Sequence, residues 1–297
     1  MQKNNINNDI LKLNKQENIL YIFACLIIAI IIIIIINKSA FNSSGDLVCS
    51  NYVLNTYLYI ILAVVITVFI VLCNDKWQIM TNFYISLLSA GLLLNLIYYI
   101  LMLVLLIFFT YTLQNTNPEK IINTHAIWLI LVLLISLVII PMILLARFYN
   151  IIGIAALITI IIVAFTGLIG YYYGDKIITF DWDYYLNIAL IIFIIIYIVG
   201  FVILYNIDST GNKISQFIYI FAFIFIIIFI LLLLSNHKRL KENAEKCKIF
   251  DNSYKNGHGH SNSIRTMPNY PLESWELIIK IYNVFSKVIN ILLRRRR

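Results

Sequence analysis

Few side chains in this 297-residue sequence have the chemistry for a functional site, and most stand outside its long apolar runs. Asp175, Asp181 and Asp183 cluster beside Lys176. They have the charge for an acidic vestibule that gathers cations, although an ordinary solvated loop is the expected reading. His258 and His260, with His237 upstream, carry imidazoles suited to a transition metal. The Gly/Ser/Asn stretch around the first two has a linker composition, and no metal site is expected there. Within the apolar runs the polar groups are Ser86, Ser89 and Asn95, with Thr67, Ser136, Thr159 and Thr166. Hydrogen bonds between helices are their ordinary use, and a small-molecule path would be sought only along Ser86, Ser89 and Asn95. No Asp or Glu lies inside an apolar run between residues 20 and 234. Cation- or proton-coupled transport usually retains one, because only function repays so costly a burial. There is no Ser/His/Asp arrangement, phosphate-binding loop or glycine-rich cradle. Catalysis is not expected, nor is a cofactor.

The elements that would position these residues follow from composition. Hydrophobic residues make up 62% of the chain, charged residues only 12%, and the mean hydropathy is +0.90. Soluble domains carry about a quarter charged residues, so this is an integral membrane protein whose first partner is the bilayer. The net charge of +8 does not imply nucleic acid. Its basic residues flank apolar runs and crowd the tail, as topology signals and contacts to anionic lipid do. Membrane-protein partners or self-association are compatible with such a surface. Cys25, Cys49, Cys73 and Cys247 are far apart, with no metal-ligand spacing, and no disulfide framework is expected.

Along the chain, residues 1–18 form a polar Asn/Lys-rich tail expected to be irregular. Apolar runs follow at 19–36, 53–73, 83–112, 126–146, 148–173, 185–205 and 214–234. Each is long enough to cross a bilayer at ~20 residues per helix. A secretory signal peptide is the rival reading of the first: its apolar core is usually shorter, but Ala40 and Ser43, Ser44 and Gly45 come close to the small-residue cleavage site it needs. The run 83–112 should be tilted, or broken near Gly91 or Asn95, and Pro141 should kink its helix. Gly153, Ala156, Ala164, Gly167 and Gly170 offer a small-residue surface for close helix packing. Residues 235–270 read as a basic flexible segment. In 271–297, Glu273, Glu276, Lys280, Asn283, Lys287 and Asn290 recur every three or four residues. That is one narrow polar stripe on an otherwise apolar helix, which either lies in the interface or packs in a bundle with the stripe inward. The fold class is therefore all-α: a polytopic bundle of seven spans plus a C-terminal amphiphilic membrane helix. Basic residues at both ends favour cytosolic termini, which an odd number of spans does not allow. Either one apolar run is re-entrant or shallow, the favoured reading, or the last helix crosses and leaves 238–270 outside. Asn37-Lys-Ser and Asn42-Ser-Ser match the glycan acceptor pattern but lie too near a membrane exit to weigh much.

Motifs from Thr81 onward carry a resemblance. Pro271, Glu273, Asn283, Phe285, Ile289 and Asn290 fall where one family's last helix reads P-E-E…L-N-L-Y-L-D-I-I-N-L-F. Ser235-Asn236-His237-Lys238 stands at its Y-D-T-Q-like turn, and Thr81-Asn82-Phe83 at its T-N-Y. Ala155 and Thr159, then Lys176 and Asp181, look like its A-x-x-x-T helix and K-x-D-F exit. The chain thus resembles the transmembrane Bax inhibitor motif family. The resemblance implies a helical bundle of an intracellular membrane, endoplasmic reticulum or Golgi, that regulates cell death and calcium leak. It also implies a buried acidic pair as the gate, whose positions are taken here by Asn236 and Lys287. An amide and an ammonium do not share a proton as two carboxylates do. The acid-gated leak is expected to be lost or rebuilt, and a nearly pure Ile run adds a span in front. A scaffold protein without transport is the alternative, a small-molecule transporter a more distant one. The decisive expectation is that the last helix packs against 214–234 and brings Lys287 to Asn236.

Overall fold

The computed structural model describes residues 2–42, 47–89, 91–118, 120–178, 182–207, 212–255 and 268–295. Nine helices make up this described part: α1 (Gln2–Ala40), α2 (Tyr52–Trp77), α3 (Ile79–Ser89), α4 (Leu92–Asn115), α5 (Ile121–Phe148), α6 (Ile152–Ile177), α7 (Trp182–Ile207), α8 (Asn212–Lys255) and α9 (Tyr270–Arg295). Seven contain a stretch long and apolar enough to cross a membrane, from Ile19–Ala40 through Lys213–Cys247. The protein is an all-helical, multi-pass membrane protein, as its composition requires.

Two polar segments differ from expectation. Residues 2–18 are not irregular but continue α1. The segment after 234 stays helical to Lys255. There Leu240, Ala244 and Cys247 are buried, an i, i+4, i+7 stripe that gives the helix a covered face beyond its apolar run. At 44 residues α8 is about 66 Å long, twice the hydrocarbon thickness, so it projects well beyond one membrane face.

The long run 83–112 is broken at Gly91, as expected. Gly91 has φ 101, and a Cβ there would meet nothing within 4 Å. Backbone conformation, not crowding, is therefore what selects glycine. Just before the break, Asn74 Oδ1 accepts the backbone N–H groups of Met80 and Thr81 at 2.8 and 3.0 Å. It thereby caps α3 from the preceding helix.

The chain divides into two compact units, Met1–Pro141 with Cys247–Trp275, and Met142–Lys246 with Glu276–Arg297. In the first, α2 and α5 are joined by Thr67 and Ser136, whose hydroxyls lie 2.7 Å apart. α5 runs through Pro141, which has no N–H for the Leu137 carbonyl one turn back. The Tyr84 hydroxyl of α3 donates to that carbonyl instead. Cys49 and Cys247 form a disulfide across 198 residues. This corrects the expectation from spacing, since sequence distance says nothing about which loop a distant helix end reaches.

In the second unit α6, α7 and α8 pack together. The buried face of α6 is Ala155, Thr159, Thr166, Gly167, Gly170 and Gly174. Gly153 and Ala164 of the expected small-residue surface are exposed instead. A Cβ on Gly170 would stand 2.7 Å from both the His237 Cβ and the Leu234 carbonyl oxygen, so α6 and α8 approach backbone to backbone. Tyr197 of α7 stacks on Phe217 of α8.

Candidate functional site

No described residue of α9 from Tyr270 to Arg294 is exposed, polar stripe included. A helix with charges every turn is enclosed only where each charge finds a partner. Its N-terminal part belongs to the first unit. There Tyr270 donates through its hydroxyl to the Val48 carbonyl, and Ser274 accepts from Trp128 Nε1 at 3.0 Å. Trp275 donates to the Thr110 hydroxyl at 2.9 Å. Tyr59 and His125 complete this cluster. His125 Nδ1 donates to the Ile121 carbonyl at 2.7 Å, which leaves Nε2 to accept the Tyr59 hydroxyl. Nothing in the sequence pattern singles out Tyr59, His125 or Ser274. They look like ordinary helix-end residues until three helices meet.

From Glu276 on, α9 belongs to the second unit and runs antiparallel to α8. Three contacts fix the register. Glu276 pairs with Arg239, the Lys287 ammonium lies 4.9 Å over the Phe225 ring, and Arg294 lies 4.4 Å over Tyr219. The aromatic faces offer these cations the electrostatic company that an apolar surround lacks. Asn236 is eleven residues beyond Phe225 on α8, about 16 Å along the axis. Lys287 therefore does not approach Asn236, and the sequence expectation fails by three turns. Lys280, one turn beyond Glu276, is the lysine at that level, and it acts electrostatically on His237. The motif D-I-I-N-L-F can equally be laid on Lys280–Phe285, with Asn283 and Phe285 in register.

Around this level lies the polar centre of the unit. Ser235, Asn236 and His237 are all buried. His237 Nδ1 donates to the Leu233 carbonyl at 2.6 Å, so Nε2 keeps its lone pair. Among the described residues neither carboxamide atom of Asn236 has a hydrogen-bond partner, although the residue is 3% exposed. Buried amides are normally satisfied, and an exception points to a function or an unseen water. Arg239 holds both Glu276 and, at 3.7 Å, Asp183 of α7. One guanidinium thus bridges three helices.

The remaining candidates are placed as follows. Asp175 pairs with Lys241 at 2.7 Å and Asp183 with Arg239, so both described acids of the proposed vestibule face cations. Asp181 lies outside the described residues, as do His258 and His260. Ser86 and Ser89 are exposed on α3, and Asn95 is half-buried on α4. Among the described residues no three His, Cys, Asp or Glu side chains gather as a metal site.

A family model described as Inhibitor of apoptosis-promoting Bax1 matches residues 49–297. The chain belongs to the Bax inhibitor family. The match begins at Cys49, so α1 lies wholly outside the family region, in keeping with a span added in front. Comparison with curated proteins finds no match, and neither does comparison with solved structures. Within this Bax inhibitor chain, the positions at the level of the polar centre carry an amide, an imidazole and an ammonium.

Proposed function

We propose that the chain is a non-enzymatic regulator of cell death of the Bax inhibitor type, working in an endoplasmic reticulum or Golgi membrane without an acid-gated calcium leak. Family membership over residues 49–297 supports the first half. The observation carrying the second half is Asn236, buried on α8 at the level of Lys280 on α9. An amide does not titrate, so protonation there has nothing to switch. A fixed ammonium opposes a divalent cation by about 7 kcal/mol at 5 Å in a medium of effective dielectric 20. Lys287 and Arg294 extend the same sign of charge down the helix. Regulation then rests on contacts within the membrane, with lipid, with membrane-protein partners or with a second copy. The exposed Ser86 and Ser89 weigh against a small-molecule transporter.

The test is expression in cells carrying a luminal calcium reporter, with survival scored under stress. The wild-type chain should raise survival and leave luminal calcium unchanged at every cytosolic pH. The double variant Asn236→Asp, Lys280→Asp should introduce a pH-dependent leak. A calcium leak from the wild type, or survival indistinguishable from that of empty membranes, would overturn the proposal.

A further inference from the structure

We infer that the face bearing the Cys49–Cys247 disulfide lies in an oxidising compartment, that α9 is a full membrane crossing, and that both chain ends share the opposite, reducing face.

The starting point is the loop between α1 and α2. Cys49 follows the end of α1, and Cys247 lies in the projecting end of α8. Tyr270 at the start of α9 donates to Val48 of the same loop and packs against Tyr52 at 5.1 Å. The end of α1, the start of α2, the end of α8 and the start of α9 therefore share one membrane face. The start of α5 joins them, because Phe41 and Tyr59 both lie against His125. In the second unit α9 descends beside α8, from Arg239–Glu276 to Tyr219–Arg294. Tyr219 is near the start of α8, a full span away from Cys247. α9 thus ends at the face opposite the disulfide. Its amphiphilic stripe kept it from being counted among the apolar spans, yet it makes the same passage.

Parity then closes. α3 has 11 residues, about 16 Å, and does not cross by itself. The passages are α1, α2, α4, α5, α6, α7, α8 and α9. Eight passages put the start of α1 and the end of α9 on the same side. The conflict between basic termini and an odd number of spans disappears without any run being re-entrant. The segment 238–255, whose basic residues suggested the cytosol, lies on the disulfide face, and the three cations nearest the membrane end are paired locally. Lys238 pairs with Glu242, Arg239 with Glu276 and Lys241 with Asp175. At the other face Lys3, Lys12 and Lys15 precede the first span and Arg294–Arg297 follow the last, as the positive-inside bias demands.

The disulfide supplies the absolute direction. Two thiols become one disulfide by losing two protons and two electrons, which pass to the disulfide of a compartmental oxidoreductase as it is reduced to its dithiol. Such bonds persist in the lumen of the secretory pathway or outside the cell, and are rare in the cytosol.

Two readouts on the full chain in cells test this. Alkylating thiols under denaturing conditions, before and after reduction, counts the disulfide directly. Two of the four cysteines should react with a maleimide-polymer only after reduction, and the Cys49→Ser variant should have none of that class. Separately, a glycan acceptor inserted after residue 260 should be modified, and one appended after Arg297 should not. Four thiols reactive without reduction, an unmodified acceptor at 260, or a glycosylated C-terminal extension would each overturn the inference. The wild-type thiol count stands even where a cysteine variant fails to fold, and none of these readouts depends on the cell-death reading.

Discussion

Replacing Tyr84 by Phe removes a single hydroxyl, and the structure says what that hydroxyl does. Pro141 interrupts the hydrogen-bond ladder of α5 and leaves the Leu137 carbonyl without its usual partner. Tyr84 is 7% exposed and donates to that carbonyl from α3, its oxygen lying 3.2 Å from that of Tyr98. Without the donor, a buried carbonyl is left unpaired at a cost of about 1–2 kcal/mol, the upper part of the range for interhelical bonds in membranes. For a chain of this size that lowers the melting temperature by roughly 2–6 °C in detergent. The decisive comparison is with Pro141→Ala. An alanine at 141 restores the backbone N–H, so the Leu137 carbonyl gains a partner within α5. Tyr84→Phe should then cost almost nothing, with a coupling of about 1–2 kcal/mol in the double-mutant cycle. If the two changes add independently, the hydroxyl is not covering for the proline and the reasoning is wrong.

Four further outcomes follow from the packing. Gly170→Ala forces α6 and α8 apart at the Leu234 carbonyl and should cost about 1–3 kcal/mol in thermal unfolding, whereas Gly153→Ala, with nothing within 4 Å, should be neutral. Asn236→Leu removes two unpartnered buried polar atoms and should leave stability unchanged or raise it by up to about 2 kcal/mol; a clear loss would show that the amide holds water or an ion. Glu276→Ala should destabilise by about 1–2 kcal/mol, trimmed by the partial exposure of Arg239, and adding Arg239→Met should deepen the loss because Asp183 then loses its cation too. Cys49→Ser should lower stability by about 2–4 kcal/mol in non-reducing detergent and change nothing once a reductant is present.

How far the candidate site was legible depends on the kind of residue. Asn236 was singled out because it stands where the resemblance has an acid, and the structure buries it. Lys287 was chosen by the same motif, but it lies over Phe225, about three turns of α8 away from Asn236. Two alignments of the last helix differ by seven residues, two full turns, so both keep the same face. Arg239 and Asp183 were legible only as charges beside a membrane end. Tyr59, His125 and Ser274 carried no signal, because a hydrogen bond between residues far apart in the chain leaves no local pattern.

The amino-acid sequence by itself determined the class of protein, the seven apolar stretches long enough to cross, and that the run 83–112 should tilt or break near Gly91 or Asn95, because transfer free energy and backbone sterics act over a few turns of chain. Only the tertiary structure decided which lysine stands at the level of His237, that Cys49 reaches Cys247, and that a helix with a charged stripe is enclosed rather than laid on the surface. Those outcomes depend on helix register and on which faces meet, and packing settles both through contacts between residues that the chain itself keeps far apart.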